Sequence, residues 1–161
     1  MTPKKILFCT DFSENSQPAY RLAVDYAKAF GSKLIIVHVI DVSGFPAYID
    51  WVGEELNNIL KHTTELANAR LKQMADECGR DLKEVKTVCR FGLTANQIVD
   101  LATEENADLI VVGTHGYTGV KHLVMGSNAR SLIKMAHRPV LIVETPSGGE
   151  SSEKPYEFPV P

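Results

Sequence analysis

The chain alternates between short apolar runs and longer segments whose apolar residues recur every three or four positions. The run at residues 33–40, KLIIVHVI, is almost continuously apolar, which is typical of a strand covered on both faces of a parallel sheet. Four other runs have the length and composition of strands. The pattern therefore predicts five strands, at residues 4–10, 33–40, 84–90, 107–113 and 140–144.

Between these strands, apolar residues recur at the spacing of a helix, which predicts four helices. The first helix is expected to stop at Gly31, and the long second helix is expected to end near Gly79. Hydroxyl side chains are the candidate N-caps of the first, third and fourth helices: Ser13 or Ser16, then Thr94, then Ser127.

Residues 41–53 lie between the second strand and the long helix, and their glycines and proline predict a loop. This loop carries three aromatic residues, Phe45, Tyr48 and Trp51. Two interpretations stay open for them: they pack on the neighbouring helix, or they cover a ligand or a partner.

Five strands separated by four helices predict an α/β fold, because parallel strands need crossover connections and helices provide them. We expect an open, doubly wound, five-stranded parallel sheet flanked by helices, which is a Rossmann-like arrangement. Ligands bind such sheets at the carboxyl ends of the strands, where the winding reverses. Two segments occupy such ends: CTDFS at residues 9–13 and the glycine-rich stretch that begins at Gly113.

Length and composition indicate one globular domain, at residues 1–145, followed by a flexible tail at residues 146–161 that is rich in Pro, Gly, Ser and Glu. The net charge of −3 gives no electrostatic reason to expect a nucleic-acid partner. No apolar run approaches the roughly 20 residues that span a bilayer, and no secretory signal pattern precedes the first strand. We therefore expect a cytoplasmic protein that does not bind membranes.

Cysteine and histidine spacing does not predict a metal site. The three cysteines are far apart, and Cys9 and Cys89 lie in apolar runs where cysteine is usually a small buried hydrophobe. His38 lies within an apolar strand, so we expect it to be a hydrogen-bonded core histidine rather than a catalyst. His62, His122 and His137 have no carboxylate or histidine neighbour at the spacing of metal ligands.

The glycine-rich stretch VVGTHGYTGVKHLVMGSNA, at residues 111–129, raises the question of a phosphate-binding loop. It is not a Walker A loop, because Gly-Lys-Ser and Gly-Lys-Thr occur nowhere in the chain. It is not a dinucleotide fingerprint, because the glycine spacing differs and the stretch follows the fourth strand. Glycines that permit close backbone approach, followed by a helix N-terminus, still favour an anion site.

The spacing Gly-2x-Gly-9x-Gly-Ser at Gly113, Gly116, Gly126 and Ser127 resembles the ATP-binding branch of the universal stress protein family. The resemblance extends over residues 3–144, including KKILFCTDFSENS, LIIVHVID and NARSLIKMAHRPVLIVE. It implies a fold like that of the adenine nucleotide alpha hydrolases. It also implies ATP as the ligand, or AMP or ADP, with a possible accompanying Mg²⁺.

The resemblance also assigns roles to individual positions. Asp11 resembles the acidic residue near the nucleoside and phosphates, and could hold Mg²⁺ through the nucleotide. Val39 resembles the position whose backbone recognises the adenine edge, and Gly113 would lie by the ribose. The full set of candidate nucleotide-binding residues is Thr10, Asp11, Val39, Gly113, His115, Gly116, Gly119, Gly126, Ser127, Asn128 and Ala129.

Three functional hypotheses follow. The first is an ATP-binding stress or signalling protein that works as a homodimer without fast catalysis, because the sequence shows no evident general base, arginine finger or Walker B acid. The second is a slow ATPase or phosphotransferase, and the third is a protein-interaction module that uses no nucleotide. The homodimer would form through the last strand, from Val140 to Glu144, which is apolar and expected at a sheet edge.

Overall fold

The computed structural model describes residues 2–43, 53–114 and 125–144. These residues form a single five-stranded sheet whose strands pair in parallel throughout. The strands are β1 (Lys5–Cys9), β2 (Lys33–Asp41), β3 (Val85–Gly92), β4 (Leu109–Gly113) and β5 (Val140–Val143). The helices are α1 (Gln17–Phe30), α2 (Gly53–Cys78), α3 (Thr94–Glu104) and α4 (Ser127–Met135), and a short 3-10 turn at Glu14–Ser16 precedes α1.

The strand order is β3-β2-β1-β4-β5, with β1 at the centre. The chain moves outward from β1 through β2 to β3, then crosses to β4 on the other side of β1 and continues to β5. The fold is therefore the expected doubly wound α/β arrangement, and its winding reverses between β1 and β4. The prediction that the last strand lies at an edge of the sheet is confirmed.

Alternate residues of the central strands point into two separate cores. On one face Ile6 and Phe8 pack with buried residues of α1 and α2, among them Ala23 and Leu71. On the other face Leu7 packs with buried residues of α3 and α4. Since β1 and most of β2 are covered on both faces, their near-continuous apolar sequence has a direct structural cause.

The expected hydroxyl N-caps are confirmed only in part. Ser16 occupies the N-cap position of α1 and Ser13 that of the preceding 3-10 turn, but neither makes a side-chain capping bond. Instead the Ser13 hydroxyl donates to Oδ1 of Asp11, and the Ser16 hydroxyl donates to the carbonyl of Ser13. Thr94 is the first residue of α3 rather than its cap, and its hydroxyl donates to Asp41. Ser127 likewise begins α4, with Gly126 in the capping position.

The boundaries of the predicted loop at residues 41–53 also change. Asp41 ends β2 and Gly53 begins α2, so both belong to regular elements. The three aromatic residues between them lie outside the described residues, as do Gly116, Gly119 and the tail. Within the described ranges, no helix combines the length and apolar character needed to cross a membrane.

Candidate nucleotide-binding site

A cleft opens where the central strand stops before its two neighbours. Pairing of β1 with β2 ends at Cys9 and Val37, and pairing of β1 with β4 ends at Phe8 and Val111. Both neighbours continue, β2 to Asp41 and β4 to Gly113. The resulting cavity of about 400 Å³ lies at the point where the winding reverses, as expected for a doubly wound sheet.

The hydrogen-bond register shows which backbone groups face this cleft. In β2, the carbonyl of Val37 accepts from Thr10 at 2.9 Å, whereas the N–H of Leu34 donates to Glu84 on the opposite side at 3.0 Å. Backbone groups of a parallel strand alternate between its two neighbours, so odd-numbered residues of β2 face β1. The N–H and C=O of Val39 therefore point toward the space beyond the end of β1.

The same argument applies to β4. Ile110 donates its N–H to Pro139, just before β5, at 3.0 Å, and Thr114 donates its N–H to Val143 of β5 at 2.9 Å, so even-numbered residues of β4 face β5. Gly113 consequently directs its N–H and C=O toward β1, past the last β1–β4 pair. Val39 and Gly113 thus present one backbone donor and one backbone acceptor each from the two sides of the cleft.

The two ends of the glycine-rich stretch meet at the cleft. The N–H of Gly126 donates to the carbonyl of Thr114 at 2.9 Å, which brings Gly113 and the start of α4 together. Ser127, Asn128 and Ala129 form the first turn of α4. The N–H groups of a first helical turn have no acceptor within the helix and carry a partial positive charge, so this end of the cleft suits an anion.

Asp11, two residues after the end of β1, offers an acceptor to the cleft. Its Oδ1 accepts from the backbone N–H of Ser13 at 3.0 Å and from the Ser13 hydroxyl at 2.6 Å. Its Oδ2 is buried and has no hydrogen-bond partner among the described residues. An unsatisfied buried acceptor costs free energy, so a donor hydroxyl or a cation in the cleft would relieve that cost.

Thr10 anchors the turn that carries Asp11. Its N–H donates to Val37, its carbonyl accepts from Nδ1 of His38 at 2.9 Å, and its Oγ1 accepts from the N–H of Phe12 at 2.9 Å. Burial lowers the pKa of His38, which favours the neutral ring with its proton on Nδ1. The prediction that His38 is hydrogen-bonded within the fold is therefore confirmed, although its side chain is half-buried rather than fully in the core.

Asp41 and Thr94 line the opposite side of the cavity, and sequence reasoning missed both as site residues. Oδ2 of Asp41 accepts from the Thr94 hydroxyl at 2.6 Å. Hydrogen bonds from Ser43 and Thr94 hold the pKa of Asp41 down at about 2. The sequence does carry a signal for Asp41: like Asp11, it is an acidic residue at the carboxyl end of a strand, and its strand β2 lies next to β1.

Apolar side chains complete the walls between these polar groups: Cys9, Val37, Ile98 and Val112. Burial raises the pKa of the Cys9 thiol, so it is uncharged and serves as a small apolar residue, as predicted. The described part of the cleft therefore combines an apolar wall, backbone donors and acceptors, a carboxylate oxygen without a partner in that part of the chain, and a helix N-terminus.

Eight of the eleven candidate residues line this one cavity, namely Thr10, Asp11, Val39, Gly113, Gly126, Ser127, Asn128 and Ala129. The remaining three, His115, Gly116 and Gly119, lie outside the described residues. Segments separated by about 100 positions in the chain thus converge at one edge of the sheet.

A cleft of this composition at the switch point of a doubly wound sheet is typical of α/β proteins that bind small ligands. Residues 2–144 match the model of the universal stress protein family. Universal stress protein MJ0531 of Methanocaldococcus jannaschii is 40% identical over 146 residues, covering 89% of this chain and 83% of the relative. The chain belongs to the universal stress protein family.

Solved structures agree with this assignment. The structure of protein MJ0577, also from Methanocaldococcus jannaschii, superposes with a TM-score of 0.82 at 30% identity, covering 92% of this chain and all of that one. A universal stress protein from Archaeoglobus fulgidus, solved in complex with dAMP, has a TM-score of 0.60 at 22% identity. It covers 88% of this chain and 98% of its own, and at this identity the likeness concerns the fold alone.

Proposed function

We propose that the chain is an ATP-binding universal stress protein that acts as a nucleotide-dependent stress or signalling dimer. The observation that carries the proposal is the convergence of three features on one cavity. They are the backbone groups of Val39, the N-terminus of α4, and Oδ2 of Asp11, which has no hydrogen-bond partner among the described residues. Their chemistry matches the base, the sugar and the phosphates of a nucleotide in that order. The Archaeoglobus fulgidus complex with dAMP is consistent with an adenine ligand in this fold.

In this proposal the adenine lies against the apolar wall beside β2. The edge of adenine carries a donor, N6, next to an acceptor, N1, and the N–H and C=O of Val39 form the complementary pair. The ribose then lies beside Gly113, where a hydroxyl can donate to Oδ2 of Asp11. Such hydrogen bonds to a charged acceptor contribute roughly 1.5–3 kcal/mol each.

The phosphates would reach the glycine-rich stretch. Gly126, Ser127, Asn128 and Ala129 offer backbone N–H groups at the start of α4, and an anion there gains roughly 0.3–1 kcal/mol from the helix dipole in addition to its hydrogen bonds. We also assign His115, Gly116 and Gly119 to this part of the site on their sequence positions alone.

The proposal describes binding rather than rapid turnover. Asp11 is the only carboxylate that we assign to a nucleotide-bound Mg²⁺, and efficient phosphoryl transfer needs several charged groups around the transferred phosphate. The rival hypothesis is a slow ATPase in which Asp11 and the phosphates share a divalent ion. The further alternative is a protein-interaction module that binds no nucleotide.

Calorimetric titration with ATP, with and without Mg²⁺, separates these hypotheses. We expect micromolar affinity, reduced about tenfold in Asp11→Asn because the charged acceptor for the ribose hydroxyl is lost. Asp25→Asn, an exposed change on α1, is the matched control and should bind normally. Turnover well above background that is lost in Asp11→Asn would favour the slow ATPase, and an absence of binding would favour the interaction module.

We further propose that two copies associate through β5 and that the protein acts in the cytoplasm. The support for association is the position of β5 at the sheet edge and its apolar sequence, VLIV. We take residues 1–145 as the folded domain and residues 146–161 as a flexible tail, on composition.

A further inference from the structure

A stack of three side chains lies behind the turn that carries Asp11. The rings of Phe12 and His38 are stacked with their centroids 4.2 Å apart and an interplanar angle of 29°. The guanidinium carbon of Arg70, on α2, lies 5.5 Å from the centroid of the Phe12 ring. None of these three side chains is among the described residues that line the cavity.

Phe12 has an unusual backbone conformation. Its φ is +61°, in the left-handed region that bulky L-residues seldom adopt. Such a conformation persists only where surrounding contacts hold it, and it is concentrated at functional sites. Here the residue is 9% exposed, one face of its ring meets His38, and its N–H is bonded to Oγ1 of Thr10.

His38 contacts this turn at two points. Its Nδ1 donates to the carbonyl of Thr10 at 2.9 Å, and its ring supports that of Phe12. The two residues that flank Asp11 are therefore both held by one imidazole. With its neighbours fixed and its Oδ1 engaged by Ser13, Asp11 retains one orientation in which Oδ2 is buried at the cleft.

We propose that His38 is a positioning residue for the nucleotide site: it holds the Thr10–Phe12 turn so that Oδ2 of Asp11 is presented to the bound nucleotide. This inference rests on the proposed function. Without the imidazole, Phe12 can relax to a negative φ, and the Asp11–Phe12 peptide rotates with it. Arg70 extends the same stack to α2. Side chains outside the cavity therefore help to set the affinity of the cavity for the nucleotide.

The first arm of the test is a double-mutant cycle on ATP affinity. We expect His38→Leu, which keeps the bulk and removes the donor, to weaken ATP binding about tenfold, while His38→Gln, which keeps a donor, loses less. Because both changes act through the same oxygen, His38→Leu combined with Asp11→Asn should bind no more weakly than Asp11→Asn alone. If the double variant instead loses ATP affinity by the product of the two single-variant factors, the proposal is overturned.

The second arm needs no nucleotide. The amide hydrogens of Phe12 and Ser13 are bonded to side chains of the turn, so their exchange reports its geometry. We expect exchange at both amides to be about tenfold faster in His38→Leu and in Phe12→Leu than in the wild type. Phe30→Leu, which alters the Tyr26–Phe30 pair on α1, is the matched aromatic control and should change neither amide.

The two arms distinguish failure of this inference from failure of the proposed function. Unchanged exchange at Phe12 and Ser13 in His38→Leu would overturn the positioning role, whether or not the protein binds ATP. Faster exchange in a protein that binds no ATP would contradict the nucleotide site and leave His38 as the residue that positions the turn.

Discussion

At the scale of single residues, the carboxylates of Asp11 and Asp41, at the ends of two neighbouring strands, differ in their hydrogen-bond partners. Asp11 has one oxygen bonded within its turn and one that is buried without a partner among the described residues, which suits a ligand. Asp41 has both oxygens engaged, Oδ1 by the N–H of Ser43 and Oδ2 by Thr94, which suits a structural tie. The sequence shows an Asp after a strand in both cases, and only the partners separate the two roles.

The low pKa of Asp41 predicts a specific dependence of stability on acid. Its folded-state pKa of about 2 is below the usual value near 3.9, so its contribution is present above about pH 4 and is lost as the pH falls toward 2. Asp41→Asn should therefore reduce the loss of stability between pH 4 and pH 2. Urea unfolding midpoints measured at pH 2, 3, 4 and 7 would show a flatter profile for the variant.

Thr94→Val is the companion variant, because it removes the hydroxyl donor and leaves the carboxylate in place. It should reproduce part of the flattening, since the pKa of Asp41 then moves toward its usual value. If both variants show the acid profile of the wild type, the tie between β2 and α3 contributes nothing measurable.

At the scale of elements, apolar periodicity predicted the strands and helices well, and the hydroxyl residues located the starts of α1, α3 and α4 to within about one residue without forming the expected capping bonds. A short, nearly continuous apolar run fits a strand that is covered on both faces and few other structures. Each strand was therefore located to within about two residues. The hydroxyls of Ser13, Ser16 and Thr94 had alternatives, and the turns around Asp11 and Asp41 engage them instead. The bonds of Ser13 and Ser16 are short-range contacts of a kind that competes with capping. The Thr94–Asp41 bond joins residues 53 positions apart, which no local pattern encodes.

The end of α1 was predicted correctly from Gly31, and it allows a quantitative test. Gly31 has a φ of +63°, and its N–H bonds back to the last turn of α1. A Cβ in this conformation costs about 1–2 kcal/mol, partly offset by the reduced freedom of the unfolded chain. Gly31→Ala should lower the free energy of unfolding by about 1 kcal/mol in urea denaturation.

Asn106 provides the matched control for this prediction. It is exposed after α3 and has a φ of +51°, a conformation that Asn tolerates better than most residues. Asn106→Gly relieves strain and increases unfolded-state freedom, so its net effect should be within about 0.5 kcal/mol. Equal destabilisation by the two changes would show that the left-handed helix end is not the cause.

At the scale of the whole molecule, the two edges of the sheet differ in how they discourage pairing. Along β3, Lys86 pairs with Glu105, and Arg90 pairs with Glu104. Charged side chains of this kind disfavour the addition of another strand. The β5 edge consists of four half-buried apolar residues, Val140–Val143, and is the less protected edge.

The register of β5 makes this edge testable without disturbing the fold. The carbonyls of Pro139 and Val143 accept from β4, so odd-numbered residues of β5 face β4 and even-numbered residues face outward. Ile142→Pro removes an outward N–H and keeps the β4 ladder, whereas Leu141→Pro breaks that ladder. If two copies pair through β5, sedimentation should give twice 17.7 kDa for the wild type and 17.7 kDa for folded Ile142→Pro. Leu141→Pro should instead lose stability, and a dimer that persists in Ile142→Pro would show that the copies associate through another surface.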